Sequence, residues 1–184
     1  MKLHWSSRSP YVRKVMVFAH ECGLAGKIEL ERTLVAMTKP NAGLLPVNPT
    51  GKIPTLVLDD GAALYDSAVI CEYLDEIHPE PQLLPGSARD RATVRGMAMV
   101  VACDTHPLNN LPIMGYLRRE FGADDAAVNR WVAHWIGRGF AGLERWVGSI
   151  PGAPVEFGQQ RFCFGNAATL ADVCLVPQMY NARR

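Results

Sequence analysis

The 184-residue chain has no CxxC pair, and its five cysteines (Cys22, Cys71, Cys103, Cys163 and Cys174) are an odd number. Most of them lie in apolar helical patterns. That predicts buried, reduced thiols and gives no support to a metal site or a disulfide framework. No apolar run approaches the ~20 residues that a membrane helix needs. The N-terminus has none of the basic, apolar and small-residue regions of a signal peptide, so a cytoplasmic chain without a membrane partner is expected. Charge of one sign is also missing. Nineteen Lys and Arg face eighteen Asp and Glu for a net charge of +1, and no block of five or six like charges occurs. Nucleic acid is therefore not an expected partner. Repeats and low-complexity tracts are absent as well.

What is present is an ordinary globular composition, 48% apolar, in a chain long enough to bury a real core. Residues 2–5 read as a short strand. Val12, Val15, Met16, Ala19 and Cys22 then recur at helical spacing over residues 11–22, with Gly23 as a natural stop. "IELERTL" (residues 28–34) alternates as a half-buried strand should. After "NPTGKIP", the runs "TLVL" and "AAL" flank the turn "DDG" and predict a hairpin. Asp66–Ser67 caps a further helix, with Val69, Ile70, Tyr73, Leu74 and Ile77 as its apolar stripe.

Pro79, Pro81 and Pro85 then mark a linker over residues 79–87. Beyond it no convincing strand remains. Residues 89–109 and 125–147 are helical patterns, the second with Val128, Val132, Trp135, Ile136, Phe140, Leu143 and Val147 on one side. "SIPGAPVEFGQQ" reads as a loop, and Thr169-x-x-Asp172 as a capping box opening a buried helix. The pattern predicts an α/β domain at 1–78 joined to an all-α domain at 88–184.

The stretch "SSRSPYVRKV" is the chemically unusual one. Ser9 is a good N-cap and Pro10 suits the first helical position, so it starts a helix and leaves hydroxyls to spare. Together with "NPTGKIPTL", "LYDSAVICEYLDE", "DTHPLNNL", "FCFGNAATLADVCLVPQ" and "YNARR", it makes the chain resemble the glutathione S-transferase family along essentially its whole length. The second half is most similar to the zeta class, the maleylacetoacetate and maleylpyruvate isomerases.

The resemblance implies a thioredoxin-like domain, a helical substrate domain, glutathione as cofactor, a small-molecule electrophile as second substrate, and a homodimer. It also implies residue roles. Ile53, before a cis Pro54, would pair its backbone with the cysteinyl part of glutathione. Ser67 would take the γ-glutamyl carboxylate and Asp66 the ammonium, while Lys52 faces the glycine carboxylate. A serine of the entrance would hold the sulfur as thiolate. Alignment to the zeta entrance gives Ser6 with Ser7 beside it, whereas alignment to the Cys-Pro entrance of omega-like relatives gives Ser9. A serine there speaks against disulfide exchange, which needs a protein thiolate.

For the second substrate the matching positions are Asn109 and Arg184, with Arg8 adding charge at the entrance; His106, beside Pro107, reads as structural. Two departures stand out. Arg8 and Pro10 occupy the places of the zeta cysteine and tryptophan. The family also carries one or two more helices beyond Arg184, which leaves either a chain cut short or a substrate wall lacking a part.

Overall fold

The computed structural model describes residues 1–35, 41–150 and 162–183, and the chain divides into two compact units between Leu83 and Leu84. The first unit runs β1 (Lys2–Trp5), α1 (Pro10–Glu21), β2 (Glu29–Arg32), β3 (Thr55–Val57), β4 (Ala63–Tyr65) and α2 (Ser67–Ile77). Its four strands lie in the order β2-β1-β3-β4, with β2 parallel to β1 and the other pairs antiparallel. A parallel pair needs a crossover, and α1 supplies it. In the β3–β4 turn Gly61 takes a φ of 88°, and the Ala62 amide donates to the Asp60 carboxylate at 2.9 Å. Leu3, Val15, Phe18, Leu56, Ile70 and Leu74 are wholly buried and form the core of this unit.

Two expectations need correction here. β2 is not half-buried: all four of its residues are exposed, and only the flanking Ile28 and Thr33 are covered. Among the described residues it is the edge of the sheet, with β1 as its strand neighbour. The apolar stripe of α2 is also rotated. Ile70 and Leu74 are buried with Ser67, Ala68, Cys71 and Asp75, while Val69 and Ile77 face outward.

The second unit is helical. It contains α3 (Ala88–Met99), a π-helical turn (Val100–Thr105), a 3-10 turn (Pro107–Asn109), α4 (Leu111–Phe121), α5 (Asp125–Gly148) and α6 (Leu170–Ala182). The helix expected over 89–109 thus ends early. Pro107 has no N–H to give and crowds the preceding turn, so the coil widens and then tightens around it. The sequence reading passed over α4 altogether. Asn110 caps that helix and Gly122, at φ 63°, closes it, yet no residue in it is buried. Met114, Gly115 and Leu117 are half-covered and the rest of the helix is exposed. In α5, Val128, Ile136 and Leu143 are buried and the rest of the expected stripe is half-covered. The loop read at 149–160 lies largely outside the described residues.

Four of the five cysteines are buried as expected, but Cys103 is exposed. It sits in the π-helical turn, where Val101 and Thr105 are the buried residues.

Candidate active site

Strand register brings three chain segments to one end of the sheet. His4 of β1 lies opposite Thr55 of β3, and Thr55 lies opposite Tyr65 of β4. The entrance serines follow β1, Ile53–Pro54 leads into β3, and Asp66–Ser67 follows β4. With strands about 4.8 Å apart, the three segments stand side by side.

The entrance is a tight turn. The Ser9 amide donates to the Ser6 carbonyl at 3.1 Å, and the Arg8 amide reaches the Ser6 hydroxyl at 3.4 Å. Ser9 caps α1 by accepting from the Val12 amide at 3.2 Å. Its hydroxyl proton is not used by that bond and can be donated outward. Ser7 and Arg8 are exposed, whereas Ser6 and Ser9 are half-covered. Arg13 was not singled out by the sequence reading. Its guanidinium clamps the Ser7 carbonyl through Nε at 3.2 Å and Nη2 at 3.0 Å, fixing the turn from the helix side. Lys14, also missed, is wholly buried with its Nζ over the Tyr11 ring. The sequence signal for both was two cations on the first turns of an otherwise apolar helix.

The Ile53–Pro54 bond is cis. Ahead of it, Asn48 is wholly buried and ties the loop, donating through Nδ2 to the Lys52 carbonyl and the Thr55 hydroxyl, both at 2.9 Å. The Lys52 side chain is exposed, and Gly51 beside it adopts a φ of 64°. Among the described residues the Ile53 amide and carbonyl make no hydrogen bond, so this stretch presents an open main-chain edge.

At the third segment Asp66 holds a φ of 77° and accepts from the Ala68 amide at 3.0 Å. Ser67 opens α2, 1% exposed, with a hydroxyl that has no hydrogen-bond partner among the described residues. A buried orphan hydroxyl at the positive end of a helix suits a carboxylate. An open strand edge, a carboxylate-accepting helix start and a hydroxyl-lined helix start fit an extended ligand that carries a carboxylate.

Of the other expected residues, Asn109 lies in the second unit. It is 6% exposed, donates to the Thr105 carbonyl at 2.9 Å and keeps its Oδ1 unpartnered. His106 beside it is also buried. Arg184 lies outside the described residues. Among the described residues no cluster of His, Cys, Asp or Glu is arranged to hold a metal ion, and no helix is long and apolar enough to cross a membrane.

Residues 8–77 match the family model "Glutathione S-transferase, N-terminal domain". A maleylacetoacetate isomerase from Pseudomonas aeruginosa is 42% identical over 76% of this chain and 61% of its own length. The chain spans about three fifths of the length of the first curated relatives it matches. Among solved structures, the holo form of a maleyl pyruvate isomerase, described as a bacterial zeta-class glutathione S-transferase, superposes with a TM-score of 0.89 at 36% identity, covering 100% of this chain and 83% of that one. A maleylacetoacetate isomerase from Anaeromyxobacter dehalogenans, with glutathione bound in its active site, superposes with a TM-score of 0.81 at 36% identity, covering 100% and 81%. The architecture is a thioredoxin-like domain followed by a helical one, and the chain belongs to the glutathione S-transferase family, in its zeta-class-like branch.

Proposed function

We propose that this protein is a glutathione-dependent enzyme whose reaction is the cis–trans isomerisation of a cis-enoyl diketo acid such as maleylacetoacetate or maleylpyruvate. The observation that carries the glutathione part is the buried, unpartnered Ser67 hydroxyl at the start of α2. The isomerase part is supported by what its relatives are named for.

In this reading residues 1–78 hold glutathione and residues 88–184 shape the place of the electrophile. Bound glutathione supplies a thiolate that adds to the conjugated double bond and is later eliminated, so that it is regenerated. Ser67 and the first-turn amides of α2 hold the γ-glutamyl carboxylate, with the Asp66 carboxylate toward the ammonium. Ile53 pairs main chain to main chain, and Lys52 faces the glycine carboxylate. Ser9 donates its free hydroxyl proton to the sulfur anion. Among the three entrance serines it combines partial burial with a place at the helix start itself, where the dipole adds to the effect. Arg8, Asn109 and Arg184 are assigned to the substrate carboxylates. A homodimer is supported by the outward apolar residues Tyr65, Val69 and Ile77, which are 41%, 52% and 42% exposed.

The departure at Arg8 and Pro10 favours a second reading, conjugation of glutathione to a different electrophile. Purified protein should isomerise maleylpyruvate or maleylacetoacetate only when glutathione is present, without consuming it. Consumption of glutathione on a chloronitrobenzene, with no isomerisation of either diacid, would remove the isomerase reading and leave the conjugating transferase. In the isomerase, Arg184→Lys should lower kcat/KM for the diacid far more than for the neutral electrophile, because lysine cannot form the paired bonds of a guanidinium.

A further inference from the structure

Lys14 is the most deeply buried cation among the described residues, with no exposed surface and no hydrogen-bond partner for its Nζ. Leaving an ammonium in that condition is costly, and an apolar side chain of similar length would fill the position without the cost. Side chains on a helix lean toward its N-terminus. Nζ of Lys14 stands 5.0 Å from the centre of the ring of Tyr11, three residues earlier. Tyr11 is the second residue of α1. The buried charge thus faces the ring of a first-turn residue of α1, the end at which the helix dipole is already positive.

Charged groups also stand on the elements around it, and Asp75 acts on Cys22, beyond the C-terminal end of α1. Arg13 on α1 is turned to the Ser7 carbonyl. From α2, which packs on α1, come Glu72 and Asp75, and Asp75 receives the Leu83 amide at 2.7 Å. His4 on β1 pairs with the Thr33 hydroxyl at 3.0 Å, and Lys2 with Glu29 and Glu31.

We propose that Lys14 is a positioning residue, a fixed buried cation that acts through the Tyr11 ring on an anion held at the first turn of α1. The inference rests on the glutathione reading above, which makes that anion the glutathione sulfur. Lys14 neither donates nor accepts a proton in this role. The S–H bond of glutathione breaks, its proton goes to solvent, and the field of the ammonium favours the sulfur anion that remains.

The test is a thiolate absorbance titration of bound glutathione in wild type, Lys14→Met and Lys14→Arg, beside calorimetry with S-methylglutathione, which has no ionisable sulfur. Lys14→Met should move the titration midpoint up by about one pH unit, a roughly tenfold loss of thiolate at lower pH. Lys14→Arg should keep most of the wild-type position. S-methylglutathione should bind all three alike, and Lys14→Met should melt no lower than wild type. An unchanged midpoint in Lys14→Met overturns the inference while leaving the glutathione site intact. Equal weakening of both ligands also overturns it, by showing a structural role. A wild type that binds neither ligand overturns the glutathione reading and this inference together. Should methionine prevent folding, Lys14→Gln removes the charge at similar length and gives the same readout.

Discussion

Asp66 and Ser67 divide the chemistry of a single turn. The Asp66 carboxylate is occupied with the Ala68 amide at 3.0 Å, while the Ser67 hydroxyl, 1% exposed, has no hydrogen-bond partner among the described residues. Asp66 also keeps a φ of 77°, a strained conformation of order 1–3 kcal/mol for a residue with a Cβ. A turn that only started a helix would need neither feature. Ser67→Ala removes no hydrogen bond from the free protein, so its melting temperature should stay within a degree or rise. Its glutathione affinity should nonetheless fall about 10- to 100-fold, the cost of losing a bond to a charged group. Asp66→Asn keeps an acceptor for Ala68 and should weaken binding about tenfold with little change in melting. Calorimetry showing wild-type affinity in both variants removes the γ-glutamyl assignment.

The entrance serines separate by a combined measurement. Ser9→Ala loses the cap of α1 and should cost about 1 kcal/mol of stability. It should also raise the titration midpoint of bound glutathione. Ser7→Ala should change neither quantity, since Ser7 is exposed and it is the residue's carbonyl that Arg13 holds. Ser6→Ala loses only a long bond from the Arg8 amide, at 3.4 Å, and should leave stability unchanged. If the midpoint moves with Ser6→Ala and not with Ser9→Ala, the zeta-type alignment of the entrance is the right one.

Much of this was legible because local rules and tertiary structure agree. Ser9 before Pro10, the turn around Gly61 and the Thr169–Asp172 box each declare themselves within a few residues, and the structure holds all three. Misreadings came where burial is decided by distant packing. Alternation in β2 carried no information about a strand that the fold leaves at the sheet edge. Helix α4 buries no residue fully, and Val69 looks like core until α2 is seen to bury Ser67 and Asp75 instead. Arg13 and Lys14 were invisible as site residues for a related reason. Nothing in spacing says which cation turns inward, or that its partner is a carbonyl six residues before it or a ring three before it.

Thiol chemistry should follow burial. Burial, with Asp75 and Glu21 nearby, pushes the Cys22 thiol up to about 11, and burial beside Asp172 raises that of Cys163 further. Cys103 is exposed and its Sγ lies only 3.5 Å from the Met99 sulfur. An aromatic disulfide reagent at pH 8 should therefore titrate one cysteine quickly, and Cys103→Ser should abolish that phase. The same shifts predict alkaline lability. A thiol whose folded pKa lies above its unfolded value stabilises the fold below the unfolded value, and that contribution is lost as pH rises toward the folded one. For Cys22 the window runs from about 9 to about 11. Cys22→Ala should flatten the fall in melting temperature across that range, and an unchanged slope would show that other groups govern it.

The carboxylate of Asp172 should be the most sensitive single polar group in the helical unit. One oxygen accepts from the Cys163 amide at 2.8 Å, and the other from both the amide and the hydroxyl of Thr169 at 2.9 Å. Cys163 and Thr169 are 6% and 5% exposed, so water does not readily replace what they lose. This side chain therefore closes the start of α6 and also fastens the chain segment that leads into it. Asp172→Ala strands three covered donors at once, and at about 1–3 kcal/mol for each unsatisfied group, partly relaxed, the loss should reach roughly 3–5 kcal/mol. For a chain of this size that corresponds to a fall of about 10 °C in melting temperature. Thr169→Ala removes only the hydroxyl and should cost about 1 kcal/mol. Asp172→Asn should fall between the two, because its amide group turns a donor toward one of the donors it must satisfy. The ordering is the test: a thermal melt placing Asp172→Ala level with Thr169→Ala would mean that the Cys163 arm contributes nothing and that the carboxylate is only a cap.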